Sequence, residues 1–463
     1  MCIVTLESGK EFLKGGKVVE REVLLEYLEE RRFKELKEEL EYMHPVDIAE
    51  LMEELDDKQM ILVFRLLDKD AAAETFTEME AKDQRETILN ALTDSEIEEF
   101  MEEMYLDDTV DVMEEMPANV VDRLLMATDE ETRAQINQLL KYPEDSAGSI
   151  MNVEYIAFQK EMTVEEAILK IRQVGLNRET IYTCYVTEKR KLIGVVTLKD
   201  LLTSGDNRVI EEIMETNLIY VHTHDDQEDA AALINKYNII AVPVVDKDMR
   251  MVGIVTVDDA IDVIEEEATE DISMMMGIAP SEETYFGTTA WQHAKSRIPW
   301  LLFLMLSATL SGIALSKFEH AIALMPILNT FVPMLTGTGG NCGSQSSTLI
   351  IRGLATDEIE FRDIFKAVRK EVAVSLMVGV MLAVVNAIRI LLMYNGDVML
   401  AVTLGITIIC TVMLAKVVGC CLPLAAKKVG LDPALMAAPL ITTLVDTGTI
   451  ILYFSIATKI FGI

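Results

Sequence analysis

Along the first third of the chain, apolar residues recur at i, i+3 and i+4, as in Ile48, Leu51, Met52 and Leu55. Asp, Ser or Thr often opens such a stretch as a cap. The spacing predicts short helices over Val23–Leu40, Val46–Leu55, Gln59–Leu67, Ala71–Glu80, Asp83–Ala91, Ser95–Met104, Asp108–Met116 and Asn119–Leu139. Their regular succession, about 12 residues apart, suggests a superhelix of short hairpins. From residue 148 to 265 the period changes. Short β-branched runs at Tyr182–Val186, Leu192–Val196, Ala241–Val245 and Met251–Val255 predict strands, with helical patterns between them. There is an internal repeat: Leu192-Ile-Gly-Val-Val-Thr-Leu-Lys-Asp200 returns as Met251-Val-Gly-Ile-Val-Thr-Val-Asp-Asp259, and Ile150-Met151 as Ile213-Met214. Two β-α-β-β-α copies packed as a pseudo-symmetric pair are expected.

The last third is nearly continuous in apolar residues. A bilayer core of about 30 Å needs roughly 20 of them in helix. Spans are predicted at 298–318, 320–345, 372–394, 398–426 and 434–461. The second ends in Thr336-Gly-Thr-Gly-Gly-Asn-Cys-Gly-Ser-Gln345, read as a polar, flexible stretch. Open backbone at membrane depth survives only where protein buries it or water lines it. The fold class is therefore multidomain: an all-α superhelical N-domain, an α/β pair and an all-α five-helix transmembrane domain. Expected boundaries are an extension at 1–19, the helical domain at 20–141, the pair at 142–265, a connecting helix at 266–296 and the membrane domain at 297–463.

Charge sharpens this division. Of 463 residues with net charge −36, those from Ile298 onward carry +2 and those before it −38. So acidic a cytosolic part excludes a nucleic-acid binder, which needs a cationic face to replace phosphate counterions. Six Cys without paired or Cys/His spacing exclude a disulfide scaffold and make a zinc site unexpected. GxxxxGK[ST], HExxH and GxSxG are all absent, so no enzyme is expected. Met1–Lys10 lacks the basic flank and apolar core of a signal peptide. Bases cluster before span one (Lys295, Arg297), between spans two and three (Arg352, Arg362, Lys366, Arg369, Lys370) and between four and five (Lys427, Lys428). These loops and the acidic domains then face the cytoplasm of a multi-pass plasma-membrane protein, with the C-terminus outside.

Candidate chemistry is carried by carboxylates. Asp259, Asp262, Glu266 and Glu270 share one helical stripe, with Glu267 and Asp271 on its neighbour. Like charges at i, i+4 destabilise a helix unless something neutralises them. A solvated helix is the plain reading; a divalent-cation site is the sharper one, because hard cations prefer carboxylate oxygen. Asp107, Asp108 and Asp111 are dense enough to bind a cation once a partner surface closes on them. Asp446 lies inside the fifth span, where a carboxylate is functional by default unless it pairs with Lys416 of the fourth. His222 and His224 read as surface residues, and Trp291 and Trp300 as interfacial anchors.

The order of parts resembles the MgtE family of magnesium channels and transporters, with the repeated pair resembling tandem CBS domains. The resemblance rests on Tyr142-Pro-Glu-Asp-Ser-Ala-Gly148, the run from Val257 to Asp271, Gly337-Thr-Gly-Gly-Asn-Cys-Gly-Ser-Gln345, and Asp432-Pro-Ala-Leu followed by Pro439 and Asp446. It implies a homodimer with the pore between subunits, and a Mg²⁺-selective import channel closed by Mg²⁺ on its acidic cytosolic domains. The alternative is an ion-coupled transporter. By that resemblance Asp446 holds hydrated Mg²⁺, with Gly337, Gly340, Asn341, Thr348 and Thr442 nearby. Glu228, Asp259, Asp262, Glu267, Glu270 and Asp271 match regulatory Mg²⁺ positions, and Gly148 matches a contact to that site. A CBS pair implies ATP or another adenine nucleotide as a possible ligand. Ser344 and Ala438 stand where the family has Asn, and Asn238 where it has Asp.

Overall fold

The computed structural model describes residues 11–14, 17–79, 81–280, 285, 287–356, 358–436 and 438–463. The expected helix end at Glu80, residues 281–284 of the connecting segment, and Ala437 in the expected fifth span lie outside them. The chain divides into two compact units, one up to Glu266 and one from Glu267.

In the first unit, a hairpin of β1 (Glu11–Lys14) and β2 (Lys17–Glu20) precedes ten short helices. These are α1 (Arg21–Glu29), α2 (Phe33–Leu40), α3 (Pro45–Glu53), α4 (Asp57–Phe64), α5 (Lys69–Thr77), α6 (Lys82–Ala91), α7 (Asp94–Met101), α8 (Leu106–Glu115), α9 (Ala118–Ala127) and α10 (Glu130–Leu139). Two of the expected helices are each broken in two. Arg31 takes a left-handed conformation between α1 and α2, and Asp129 accepts from the backbone N–H and hydroxyl of Thr132 to start α10 afresh. Alternate helices stack, α3 on α5, α5 on α7 and α7 on α9. Consecutive helices also pack, α1 on α2, α3 on α4 and α8 on α9, so the superhelix is built from both kinds of contact. Phe64, Phe76 and Phe100 meet edge to face in its core.

The repeat then forms two three-stranded sheets. The first is β3 (Ala157–Phe158), β4 (Thr183–Glu188) and β5 (Lys191–Thr197), with α11 (Val164–Val174) and α12 (Leu198–Thr203). The second is β6 (Val221–His222), β7 (Ala241–Val245) and β8 (Met251–Thr256), with α13 (Gln227–Tyr237) and α14 (Val257–Met275). The repeated motif has a physical meaning. Its Thr and Asp form a capping box at the start of α12, Thr197 with Asp200, and Thr256 bonds Asp259 in the same way at α14. Its glycine admits a neighbour: a Cβ on Gly194 would meet Met214, and one on Gly253 would meet Met151. Each copy's leading Ile-Met thus packs on the other copy's sheet, with Asn152 and Ile254 exchanging backbone hydrogen bonds.

Among the described residues, the second unit holds the end of α14, then five long helices and a short one. They are α15 (Ala290–Ser316), α16 (Glu319–Leu324), α17 (Val332–Ala355), α18 (Ile364–Met393), α19 (Val398–Val429) and α20 (Ala438–Phe461). Of these, α15, α18, α19 and α20 (the last with the short turn before it) are long and apolar enough to cross a membrane. The expected second span needs correction. Its first half is α16 and a 3-10 turn, and the Gly-rich run is not open backbone but the middle of helix α17. The glycines permit helix–helix approach: a Cβ on Gly339 would meet Thr411 and Val445, and one on Gly343 would meet Ile441. Gly419 of α19 comes closest, since a Cβ there would lie 2.3 Å from the carbonyl oxygen of Gly343. Gly419→Ala should destabilise the unit by about 1–3 kcal/mol through forced separation of α17 and α19, measured as a lowered unfolding midpoint in detergent.

Two of the base-rich connections, after α17 and after α19, meet at one end. Lys427 donates to the carbonyl of Leu354, and the Lys428 ammonium lies over the ring of Phe361. Trp300 packs over Gly277, where a Cβ would strike its ring; Trp291 is exposed.

Candidate functional site

In the first unit α8 places Asp107, Asp108 and Asp111 against the CBS-like pair. Asp107 is buried, and its Oδ1 has no hydrogen-bond partner among the described residues. Burial, then Asp108 and Asp259, push its carboxyl well above the usual range. Burial and Asp259 push Asp108 up to about 7. Asp111 rises to about 8 through burial, Asp108 and Asp259; solvent reaches it, so the stronger case rests on Asp107 and Asp108. Opposite them stand Asp259 and Glu179, the latter raised to about 7 by burial and by Asp258 and Asp259. Asp262 is raised by burial, Asp258 and Glu78. No cationic side chain is a leading influence on any of the six. Such a confrontation is costly unless protons or a metal ion relieve it.

Among the described residues, no three His, Cys, Asp or Glu side chains converge tightly enough to grip a bare ion. Mg²⁺ gives up its waters reluctantly and is commonly held through one or two carboxylates. The orphaned Asp107 oxygen fits such a cation. Asp259 also caps α14, its Oδ2 accepting from the Thr256 hydroxyl at 2.6 Å. Asp259→Asn keeps an acceptor there, so stability should fall by less than about 1 kcal/mol. With a divalent cation held at Asp259, the Mg²⁺ concentration needed for protease protection of this unit should rise about tenfold in that variant; an unchanged concentration removes Asp259 from any cation site.

In the second unit, burial and Asp432 push Asp271 upward, with Glu267 adding to it. Glu270 lies half-buried on the same helix, and Glu228 is on the exposed first turn of α13. Gly148 is a packing requirement: its Cβ would sit 2.5 Å from the Thr223 carbonyl oxygen and 2.8 Å from the Tyr142 ring. His224 also edges that ring. Asn238 ends α13 in a left-handed conformation, which Asn tolerates well.

On α17, Gly337, Asn341, Gln345 and Thr348 are exposed along one face, while Gly339, Gly340, Gly343, Ser346 and Ser347 are buried on the other. Gly340 approaches Thr442 of α20, whose Cγ2 would be 3.0 Å from an added Cβ. Asp446 follows one turn along α20 on the same side as Thr442. Lys416 does not neutralise it: that ammonium is engaged by Ser346 and Glu371. Ser344 donates to the carbonyl of Gly340.

A third feature is a cleft of about 880 Å³ in the CBS-like pair, lined by Tyr182, Thr197, Lys199, Asn217, Tyr237 and Asn238 among others. Its volume suits a nucleotide-sized ligand.

A family model described as a divalent cation transporter matches residues 332–456. The MgtE intracellular N domain matches 43–145, and CBS domains match 147–206 and 210–266. The magnesium transporter MgtE of Thermus thermophilus is 38% identical over 76% of this chain and 79% of its own. The chain belongs to the MgtE family of magnesium transporters. MgtE of Bacillus subtilis is 32% identical over 80% of this chain and 82% of its own. Two solved structures resemble the cytosolic part. The soluble part of a magnesium transporter superposes with TM-score 0.50 at 32% identity, covering 54% of this chain and 98% of that one. The cytosolic domain of the Mg²⁺ channel MgtE in complex with ATP gives 0.51 at 38%, covering 52% and 99%.

In this MgtE-family protein the site holds carboxylates that sequence reasoning missed. Glu78, Glu154 and Glu179 face the α8 cluster, and Asp432 faces Asp271. The only signal for Asp432 was its place in the Asp432-Pro-Ala-Leu block; the three Glu are scattered singly and carry none.

Proposed function

We propose that the protein is a Mg²⁺ channel that imports magnesium into the cytoplasm and is closed by Mg²⁺ on its cytosolic carboxylates. The observation that carries this reading is the unneutralised confrontation of Asp107 and Asp108 with Asp259 and Glu179. When Mg²⁺ is abundant, hydrated ions bridge these groups and hold α8 against the start of α14. Separate Mg²⁺ ions are assigned to Glu267, Glu270 and Asp271 further along α14, and to Glu228 and Gly148 in the first unit. When Mg²⁺ is scarce, repulsion loosens the assembly. A ligand moves such an equilibrium only by favouring one state, and the closed state alone assembles carboxylates from separate domains.

Conduction is assigned to the polar face of α17 with Thr442 and Asp446. An exposed Asn341 amide is costly against lipid, and together with Gly337 and Thr348 it makes this face a candidate lining for water rather than lipid. A homodimer that sets two such faces against each other gives them a water-filled path. Asp446 then supplies the charge that draws in hydrated Mg²⁺, and Gly340 lets α20 approach. The two base-rich connections that meet at one end support a cytoplasmic placement for that end and an outside C-terminus. No catalytic role is assigned to any residue. The cleft at Lys199 is proposed to take ATP, its ammonium toward phosphate and Tyr182 and Tyr237 toward the base.

The test is Mg²⁺ uptake by liposomes holding purified protein, with no other gradient imposed. Uptake under those conditions supports the channel. Uptake only with a proton or Na⁺ gradient shifts the assignment to an ion-coupled transporter.

A further inference from the structure

Inside the membrane unit the structure holds a charged network that neither the pore reading nor the regulatory one uses. Lys416 of α19 and Glu371 of α18 are both buried, and Ser346 of α17 is sealed between them. The Lys416 ammonium donates to Ser346 Oγ at 3.2 Å and to Glu371 Oε2 at 3.4 Å, and the Ser346 hydroxyl donates to the same Glu371 oxygen. A charge buried in a membrane helix is expensive and is kept when it serves a function. Replacing a buried pair with apolar side chains is often neutral for stability, so stability alone gives no reason to keep it.

Two further facts place the network. Gly419, one turn past Lys416, abuts the backbone of Gly343, so the ammonium lies against α17. The next residue, Ser347, donates to the carbonyl of Met436 just before α20. Adjacent serines therefore tie α17, whose outer face carries Gly337, Asn341 and Thr348, to α18 and α19 on one hand and to the approach to Asp446 on the other.

We infer that Glu371 is a charge-compensating residue for cation passage, cancelling Lys416 beside the conducting helix. The inference rests on the proposed transport function. A divalent ion feels an uncancelled unit charge twice as strongly as a monovalent one. Glu371→Gln leaves a net positive charge beside α17; Lys416→Met leaves a net negative one. Both break the ion pair equally, so a merely structural bridge predicts equal losses.

The experiment measures Mg²⁺ flux in liposomes for wild type, Glu371→Gln, Lys416→Met and the double variant, each matched for monodisperse protein. Wild-type flux establishes the transport reading on its own. Given that flux, Glu371→Gln is expected to lose roughly tenfold or more, Lys416→Met to lose little, and the double variant to return close to wild type. If a single variant does not fold, the double variant decides: wild-type-like flux supports compensation, and flux as low as background overturns it. Equal losses in the two single variants, or no loss in Glu371→Gln, also overturn it.

Discussion

Asp446→Asn should lower Mg²⁺ flux about a hundredfold with the fold intact, the loss expected when a pore carboxylate that attracts hydrated cations becomes a neutral amide. The substitution is nearly isosteric, and the residue stands in the body of α20, where Asn is tolerated by the helix. What it removes is charge. Lys416 is already engaged by Glu371 and Ser346, so it does not supply Asp446 with a counter-charge, and under the proposed function the carboxylate is left for the passing ion. Size-exclusion profile and helix content should match wild type, while dye-reported uptake falls. Undiminished uptake would remove Asp446 from the conduction path.

The second large effect is on pH. Asp108 and Glu179 are held up to about 7 and Asp111 to about 8, mainly by burial and then by facing carboxylates. A carboxyl raised in the assembled state stabilises that state in its protonated form. This contribution is complete below the ordinary carboxylate range, near 4, and is lost as pH rises through about 7, the value of the better-buried Asp108 and Glu179. Without Mg²⁺, contact between α8 and the CBS pair should therefore loosen across that window. Mg²⁺ should restore it at pH 8.5, where the carboxylates are ionised and free to bind. At pH 6 protons already relieve the repulsion, and added Mg²⁺ should change little. Protease protection of the 128–145 segment, followed with and without Mg²⁺ at the two pH values, measures this. A Mg²⁺ effect larger at pH 6 than at pH 8.5 would reverse the sign and remove these carboxylates from the switch.

Much of the fold was legible because periodicity and capping are local. The i, i+3, i+4 pattern marked the helices of the first unit, and the β-branched runs inside the repeat marked β5 and β8. What escaped is long-range. The break at Arg31 depends on a backbone conformation that no composition signals. The Gly-rich run looked polar and open by itself; only Thr411, Ile441 and Val445 from α19 and α20, packed on its glycines, explain why it is a helix. The same holds for the candidate site. Asp259 and Asp262 were visible as a run, and the α8 cluster as a dense patch. That they meet, and that Glu179 and Glu154 join them, follows from tertiary packing between segments distant in sequence, as does the separate approach of Asp432 to Asp271.

The most direct test of regulated conduction is Mg²⁺ flux in oriented liposomes while Mg²⁺ is titrated on the side of the acidic domains. Flux should be high at low Mg²⁺ and suppressed as it rises, with the suppression midpoint moved about tenfold upward by Asp259→Asn. Flux indifferent to Mg²⁺ on that side, in both proteins, would contradict closure by the cytosolic carboxylates.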